Sequence, residues 1–237
     1  MLTKIIRPHV ILNVAVTADG KTDTVSRKGA AISSAEDLDR VDQLRASVDA
    51  IMVGGRTLLE NDPRLIIRSK ALQNERIQRG LSSNPTKVGV ITRASIKSNS
   101  RFLTFGPAQI IIFTTRQTGQ DDLIRLQKLG VRCFVLGDER VDLIEAMHQL
   151  WEAGIRRLLV EGGGTLNSEL LRLGFVDEIS LFLSPVIFGG MDAPTFVDGQ
   201  GFELDAVVKL TLTGLEQLPG GGIVLHYLPA YENKNQN

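Results

Sequence analysis

Arg156-Arg157-Leu158-Leu159-Val160-Glu161-Gly162-Gly163-Gly164-Thr165-Leu166-Asn167 joins a buried strand to a helix through three consecutive glycines. Glycines let the backbone pass close to a ligand, and the unpaired N–H groups of the following helical turn face any anion held there. The one carboxylate, Glu161, falls where the strand ends, at the carboxyl edge where open α/β sheets bind ligands. The spacing is not GxGxxG, so an ordinary strand-to-helix turn is the competing explanation.

Outward from that junction, short β-branched runs alternate with amphipathic segments, the pattern of a mainly parallel sheet covered by helices. Strands are expected at Val10–Val16, Ala50–Val53, Lys87–Ile91, Gln109–Thr114, Arg132–Leu136, Arg157–Val160 and Glu178–Leu183. Ser33-Ser-Ala-Glu36 has capping-box spacing and opens a helix with Leu38, Val41, Leu44 and Val48 on its apolar side. A second helix carries Ile144, Met147, His148 and Trp151 and ends at Gly154, with His148 expected in the core. After residue 177 the period changes to two: Val208, Leu210 and Leu212 alternate with polar residues, and Leu218-Pro-Gly-Gly-Gly222 turns the backbone into Ile223–Leu228. That is an antiparallel hairpin closing the sheet. Lys70–Pro85 and Glu232–Asn237 are polar and are expected to lack regular structure. No linker marks a boundary, so residues 1–237 are expected to be a single domain with its core at about residues 8–228.

Lys plus Arg equals Asp plus Glu at 27 each, which leaves no net field to hold a nucleic acid or an anionic membrane and favours a small-molecule partner. His9-Val-Ile-Leu-Asn-Val-Ala-Val16 is too short to span a bilayer and leads into Thr-Ala-Asp-Gly rather than a cleavage site, so the expected location is the cytoplasm. Cys133, in Val131-Arg-Cys-Phe-Val-Leu136, is the only thiol and reads as a small buried residue. His9, His148 and His226 are too widely spaced for a histidine-rich zinc site, and no metal is expected. GxSxG, GxxxxGK[ST] and CxxC are all absent.

Three further places carry chemistry. Arg45 shares a helical face with Leu38 and Val48, where a guanidinium needs a partner: either Asp42 or Asp49, or an anion such as a phosphate. Val53-Gly-Gly-Arg-Thr-Leu-Leu-Glu-Asn-Asp-Pro-Arg-Leu65 is a second strand–glycine–helix junction, with Thr57 at the helix start, Pro63 ending the helix, and Asn61, Asp62, Arg64 and Arg68 nearby. Gly89-Val-Ile-Thr-Arg93 ends a strand with a hydroxyl beside a guanidinium, a pairing that suits a ribose 2′-phosphate and so NADP over NAD. A solvated strand end explains that pair equally well.

Taken together, Asn13-Val-Ala-Val-Thr-Ala-Asp-Gly-Lys21, Arg45-Ala-Ser-Val-Asp-Ala-Ile-Met-Val-Gly54, Thr57-Leu-Leu-Glu-Asn-Asp-Pro-Arg-Leu65, Val160-Glu-Gly-Gly-Gly-Thr-Leu-Asn167 and Pro185-Val-Ile-Phe-Gly-Gly190 resemble, in this order, the riboflavin-biosynthesis pyrimidine reductases. The likeness runs from about residue 8 to residue 228. It implies a three-layer α/β fold similar to dihydrofolate reductase, with a mixed, mainly parallel sheet and a C-terminal antiparallel hairpin. It also implies NADPH-dependent reduction of the ribosylamino group of a pyrimidine 5′-phosphate to a ribitylamino group, with NADH left open as the donor.

Position by position, the resemblance places cofactor contacts on Ala15, Ala31, Thr57, Asn61, Thr92, Arg93, Gly162, Gly163, Gly164, Thr165, Leu166 and Asn167. Substrate contacts fall on Asn13, Gly29, Arg45, Leu65, Arg68 and Glu161, with Arg45 and Arg68 on the phosphate. The proton donor is unassigned; Glu161 and Asn61 are the candidates. The family commonly has Asp where this protein has Asn61, and larger or polar side chains at Ala30 and Ala31. Asn13 replaces the lysine usual in members fused to a deaminase, which points to the stand-alone form acting on 2,5-diamino-6-ribosylamino-4(3H)-pyrimidinone 5′-phosphate. The alternatives are the deaminated 5-amino-6-(5-phosphoribosylamino)uracil, a reductase for another pterin or imine, and an NADP-binding regulatory module without turnover. The resemblance implies a homodimer, with the late strands and Phe188-Gly-Gly-Met191 as contact surfaces.

Overall fold

The computed structural model describes residues 6–231, and the protein divides into two compact units. The expected tail at Glu232–Asn237 lies outside the described residues.

The first unit comprises the residues up to His9 and Asp39–Glu161. Its strands β2 (Ala50–Gly54), β3 (Thr86–Val90), β4 (Ile110–Thr114), β5 (Arg132–Val135) and β6 (Arg157–Val160) lie in the order β5-β4-β3-β2-β6. Every pairing among them is parallel. The centre of the sheet is buried on both faces, as crossover helices require: every residue of β2 is buried, as are Leu158, Leu159 and Val160 of β6.

The second unit comprises Val10–Leu38 and everything from Gly162 on. Strand β1 (His9–Thr17) pairs in parallel with β7 (Glu178–Ser184), and β7 pairs antiparallel with β9 (Ile223–Ala230), which pairs antiparallel with β8 (Lys209–Gln217). Phe182, Leu218 and Val224 form a buried cluster against which Ala15 packs. The mainly parallel strands and the closing hairpin are those expected from the change of period.

The helices depart from expectation in instructive ways. Helix α1 (Ala35–Ala46) begins one residue later than the capping box suggests, with the Asp37 amide donating to the Ser34 hydroxyl at 3.2 Å. Its buried positions are Asp37, Asp42 and Ala46, while Leu38 is exposed. Lys70–Pro85 is not devoid of structure: helix α2 (Lys70–Gln78) is capped by Ser69, whose hydroxyl accepts from the Leu72 amide. What a stripe of leucines does elsewhere is done here by buried Arg76, which donates to the carbonyls of Ala46 (2.9 Å), Val48 (2.8 Å) and Ser82 (3.0 Å).

The remaining helices are α3 (Arg101–Thr104), α4 (Gln120–Lys128), α5 (Leu143–Glu152) and α6 (Gly164–Arg172). On α5 the buried residues are Leu143, Ala146, Met147 and Leu150. His148 is therefore not a core residue; it lies half exposed between Glu145 and Glu152. Cys133 is only half-buried, and burial pushes its thiol pKa up. Among the described residues no helix is long and apolar enough to cross a membrane.

Candidate active site

In the first unit the carboxyl ends of β2, β3 and β6 lie side by side, with Gly54 opposite Val90 and Met52 opposite Val160. Beyond β2, Gly55 passes so close to β3 that a Cβ there would lie 3.0 Å from Ile91 Cγ1. The backbone then makes one wide helical turn, Thr57–Asn61, which ends at Asp62 with φ +45°. Gly89 of β3 accommodates that turn, since a Cβ on it would lie 2.6 Å from Leu58 Cδ1. Thr57 is half-buried and Asn61 is exposed, and the Asn61 carbonyl accepts from Arg101 Nη2 at 2.7 Å.

Thr92 and Arg93 follow β3 and are both exposed. The Thr92 carbonyl is fixed by the hydroxyls of Thr114 (3.2 Å) and Thr115 (2.8 Å), and Arg93 Nε donates to Gln117 Oε1 at 3.1 Å.

Glu161 follows β6 and is tied to β2 by its amide, which donates to the Met52 carbonyl at 2.9 Å. Its carboxylate meets Arg45, in the last turn of α1, fork to fork: Nε to Oε1 and Nη2 to Oε2, both at 2.7 Å. The third arm of Arg45, Nη1, donates to the Ile66 carbonyl at 2.7 Å. Burial works against the Arg45 charge, but Glu161 and more distantly Asp42 outweigh it and hold the guanidinium pKa above its usual value. The partner of Arg45 is therefore Glu161, not the neighbouring Asp42 or Asp49.

Asp42, three residues before Arg45 on the same helix, grips the segment after the wide turn. Its Oδ2 accepts the amides of Arg68 and Ser69, both at 2.9 Å, and its Oδ1 lies 3.4 Å from Arg68 Nε. Arg68 also reaches Asp39 at 3.1 Å and keeps 46% of its side-chain surface exposed. Leu65 has a buried side chain and a φ of +46°. Asp62 caps α3, accepting from Ser100 Oγ (2.6 Å), the Arg101 amide (2.8 Å) and the Phe102 amide (3.0 Å). Although burial opposes it, these bonds hold the Asp62 carboxyl below the usual range. The grip of Asp42 has no signature in the sequence, because its partners are backbone amides far along the polypeptide.

In the second unit, Gly162 has φ +99° and leads into α6, whose N-terminus has no side-chain cap. Gly164 opens the helix against Asp198 and Thr195: a Cβ there would lie 2.6 Å from Asp198 Oδ2. The Asp198 amide donates to the Gly164 carbonyl at 3.1 Å, and Asp198 Oδ1 accepts from the Thr195 amide and hydroxyl at 3.0 and 2.7 Å. Asn167, buried in the first turns of α6, donates from Nδ2 to the Phe196 carbonyl at 2.8 Å, while its Oδ1 has no partner among the described residues. An uncapped helix start beside a buried, unanswered amide oxygen fits a ligand that brings both anionic oxygens and donor groups, as a dinucleotide does. The Thr195–Asp198 segment carries no motif that would have singled it out in the sequence.

The other expected contacts in this unit lie on β1 and the loop after it. Asn13 is buried in register with Ser180, and Ala15 lies in register with Phe182. Gly29 and exposed Ala31 flank a loop fastened by buried Asp23, which accepts the amides of Gly29 (2.7 Å) and Ala30 (3.1 Å).

The family model of the RibD C-terminal domain matches residues 8–224. The protein is 41% identical over 196 residues to the 2,5-diamino-6-ribosylamino-4(3H)-pyrimidinone 5′-phosphate reductase of Archaeoglobus fulgidus, covering 83% of its own length and 89% of that enzyme. It is 39% identical over 207 residues to the Methanothermobacter thermautotrophicus protein of the same name, covering 87% and 91%. It is also 30% identical to the riboflavin biosynthesis protein RibD of Bacillus amyloliquefaciens, with 94% of its own length matched to 57% of that longer protein. Among solved structures, a pyrimidine reductase-like protein from Corynebacterium diphtheriae aligns with a TM-score of 0.79 at 23% identity, with coverage of 95% on this side and 93% on the other. At that identity the likeness is one of fold.

Proposed function

This protein belongs to the RibD C-terminal domain family, and from that premise we propose that it is the reductase of riboflavin biosynthesis that converts 2,5-diamino-6-ribosylamino-4(3H)-pyrimidinone 5′-phosphate to its ribitylamino form with NADPH. The observation that carries this reading is the succession at residues 161–167: a carboxylate at a strand end, followed at once by a glycine turn into an uncapped helix. A polyol or aminopyrimidine offers donors to the first, and a diphosphate offers anionic oxygens to the second.

When bound, NADPH supplies the hydride that reduces the imine carbon of the ring-opened sugar, whose nitrogen takes up a proton. The protein's own part is to bind, orient and exclude water. The amides of Gly164–Leu166 hold the diphosphate, with Gly162, Gly163 and Asn167 completing the turn. Thr57, Asn61, Ala15 and Ala31 contact the rest of the cofactor, and Thr92 with Arg93 holds the 2′-phosphate that separates NADPH from NADH. Glu161 accepts hydrogen bonds from the ribose hydroxyls or the pyrimidine amino groups, Arg68 takes the substrate phosphate, and Asn13, Gly29, Leu65 and Arg45 complete the substrate's surroundings. Glu161 and Asn61 are the candidates for handling the proton. We place the activity in the cytoplasm and, as the family resemblance implies, in a homodimer.

The test is NADPH consumption by the purified protein with the diamino and the deaminated pyrimidine in parallel, each with NADPH and NADH. Faster oxidation of NADPH with the diamino compound is the expected result. Binding without oxidation would instead identify a regulatory module, the reading that Asn61 in place of the family's Asp favours.

A further inference from the structure

We propose that Asp62 is a positioning residue for the cofactor: through α3 it holds the wide turn Thr57–Asn61 in the shape that presents Thr57 and Asn61, an inference that rests on the reductase reading above. The turn does not hold that shape by itself. It is a single widened turn of five residues, and it ends at Asp62 with φ +45° and ψ +60°. A residue with a side chain rarely adopts such a backbone, and one that precedes a proline, as Asp62 does, is normally extended. Something outside the turn has to keep it there.

Helix α3 does so. Asp62 accepts from Ser100 Oγ at 2.6 Å and from the amides of Arg101 and Phe102 at 2.8 and 3.0 Å, and Arg101 returns the contact by donating from Nη2 to the Asn61 carbonyl at 2.7 Å. Just past Pro63, the Arg64 guanidinium lies 4.2 Å from the centre of the Phe105 ring. A helix of four residues is no fixed body alone, but Lys87 of β3 fastens its far end by donating to the carbonyls of Phe102 (3.0 Å) and Phe105 (2.6 Å). Leu58 of the turn and Phe102 of α3 also meet over Gly89, where a Cβ would lie 2.6 Å from Leu58 Cδ1 and 3.7 Å from Phe102 Cζ. The path from sheet to turn thus runs through β3, Lys87, α3 and Asp62, all within the first unit.

Both oxygens of Asp62 are engaged by α3 and its cap residue, Oδ1 by Ser100 and Phe102 and Oδ2 by Arg101. The carboxylate therefore acts on the cofactor through the turn rather than by touching it. The segment that follows is anchored separately: Asn84 Oδ1 accepts from the Ile67 amide at 2.9 Å, and Asp42 holds the amides of Arg68 and Ser69. Loosening Asp62 should reach the cofactor and spare the substrate.

Variants D62A, D62N, D62G and S100A of the full-length protein, D62N together with S100A, and D142A as a remote control are compared by NADPH fluorescence titration and by steady-state kinetics with the diamino pyrimidine. Asp142 caps α5 by accepting the Ile144 and Glu145 amides, so D142A lowers stability without touching the turn. D62A should weaken NADPH binding and raise the NADPH KM by about tenfold, with the pyrimidine KM within about twofold of wild type and kcat at saturating NADPH within about threefold. D62G tolerates the positive φ but brings no carboxylate and should match D62A, while D62N keeps an acceptor and should recover part of the loss. S100A should weaken NADPH binding about threefold, and its combination with D62N should be worse than the poorer single by no more than about twofold, because the two form one unit. Should D62A and D62G fail to fold, S100A and the double variant decide. Wild-type NADPH affinity in D62G or S100A, multiplicative losses in the double variant, or an equal loss in D142A would overturn the assignment. Wild-type protein that binds NADPH without oxidising it overturns the reductase reading alone, since the titrations still test Asp62; wild-type protein that binds no NADPH overturns both.

Discussion

Lys87 has no exposed surface and donates to two backbone carbonyls, Phe102 at 3.0 Å and Phe105 at 2.6 Å. Burial lowers its pKa to about 8, with Asp62 pulling weakly the other way. The folded protein therefore releases this proton near pH 8, whereas an unfolded lysine holds it to roughly 10.4. A lysine with a depressed folded pKa contributes stability that is complete above the unfolded value and lost as pH falls to the folded one. Wild type should thus gain on Lys87→Met between pH 8 and about 10, by about 1 kcal/mol per pH unit at the steepest, in urea midpoints taken across that range. A gap that stays flat or narrows with rising pH would remove the buried ammonium from the account. At this scale the sequence is half legible. Arg45 stands out as a charge on an otherwise apolar helical face, but its partner lies 116 residues away and no local pattern names it. Lys87 gives no signal at all, because its partners are carbonyls at and just beyond a four-residue helix.

Elements are legible where burial follows a period and obscure where polar groups replace it. The strands fall within a residue or two of expectation because β-branched runs must alternate or be buried whole. Helix α2 is hidden because its one buried side chain is Arg76, and the inward side of α1 because it is built on Asp37 and Asp42. The glycine turn before α6 is legible as a junction, but the reason each glycine is needed is not. Gly162 needs its positive φ, with open space around it, whereas Gly164 needs the absence of a Cβ against Asp198 and Thr195. Gly164→Ala should accordingly displace the Thr195–Asp198 segment, cost about 1–3 kcal/mol in thermal unfolding and weaken NADPH binding measured by fluorescence titration. Unchanged melting together with unchanged affinity would show that the helix start does not depend on that close contact.

For the whole molecule, family membership and the reductases it resembles support an enzyme acting on a small-molecule pyrimidine, and the balanced charge is consistent with that. The division into two compact units is not legible, because it is a property of which long-range contacts cluster, and no linker announces it. Among the described residues strand β8 pairs only with β9, and it exposes Leu210, Leu212 and Leu215, while Ile187 and Met191, on either side of Phe188-Gly-Gly in the sequence, are also exposed. Uncovered leucines on a strand at the edge invite association. Leu212→Lys with Leu215→Lys should therefore convert a dimer to a monomer in sedimentation velocity. A wild-type protein that already sediments as a monomer ends the homodimer expectation.

The grips that Arg45 and Asp42 exert on residues 66–69 close on backbone atoms: the Ile66 carbonyl and the amides of Arg68 and Ser69. Backbone atoms are common to every amino acid except at the proline nitrogen, so these three bonds survive most side-chain changes, although the Ser69 hydroxyl also caps α2 and Arg68 Nε also faces Asp42. Natural drift, or a saturation library at positions 66 and 68, can retailor substrate choice while the backbone bonds of the framework stay put.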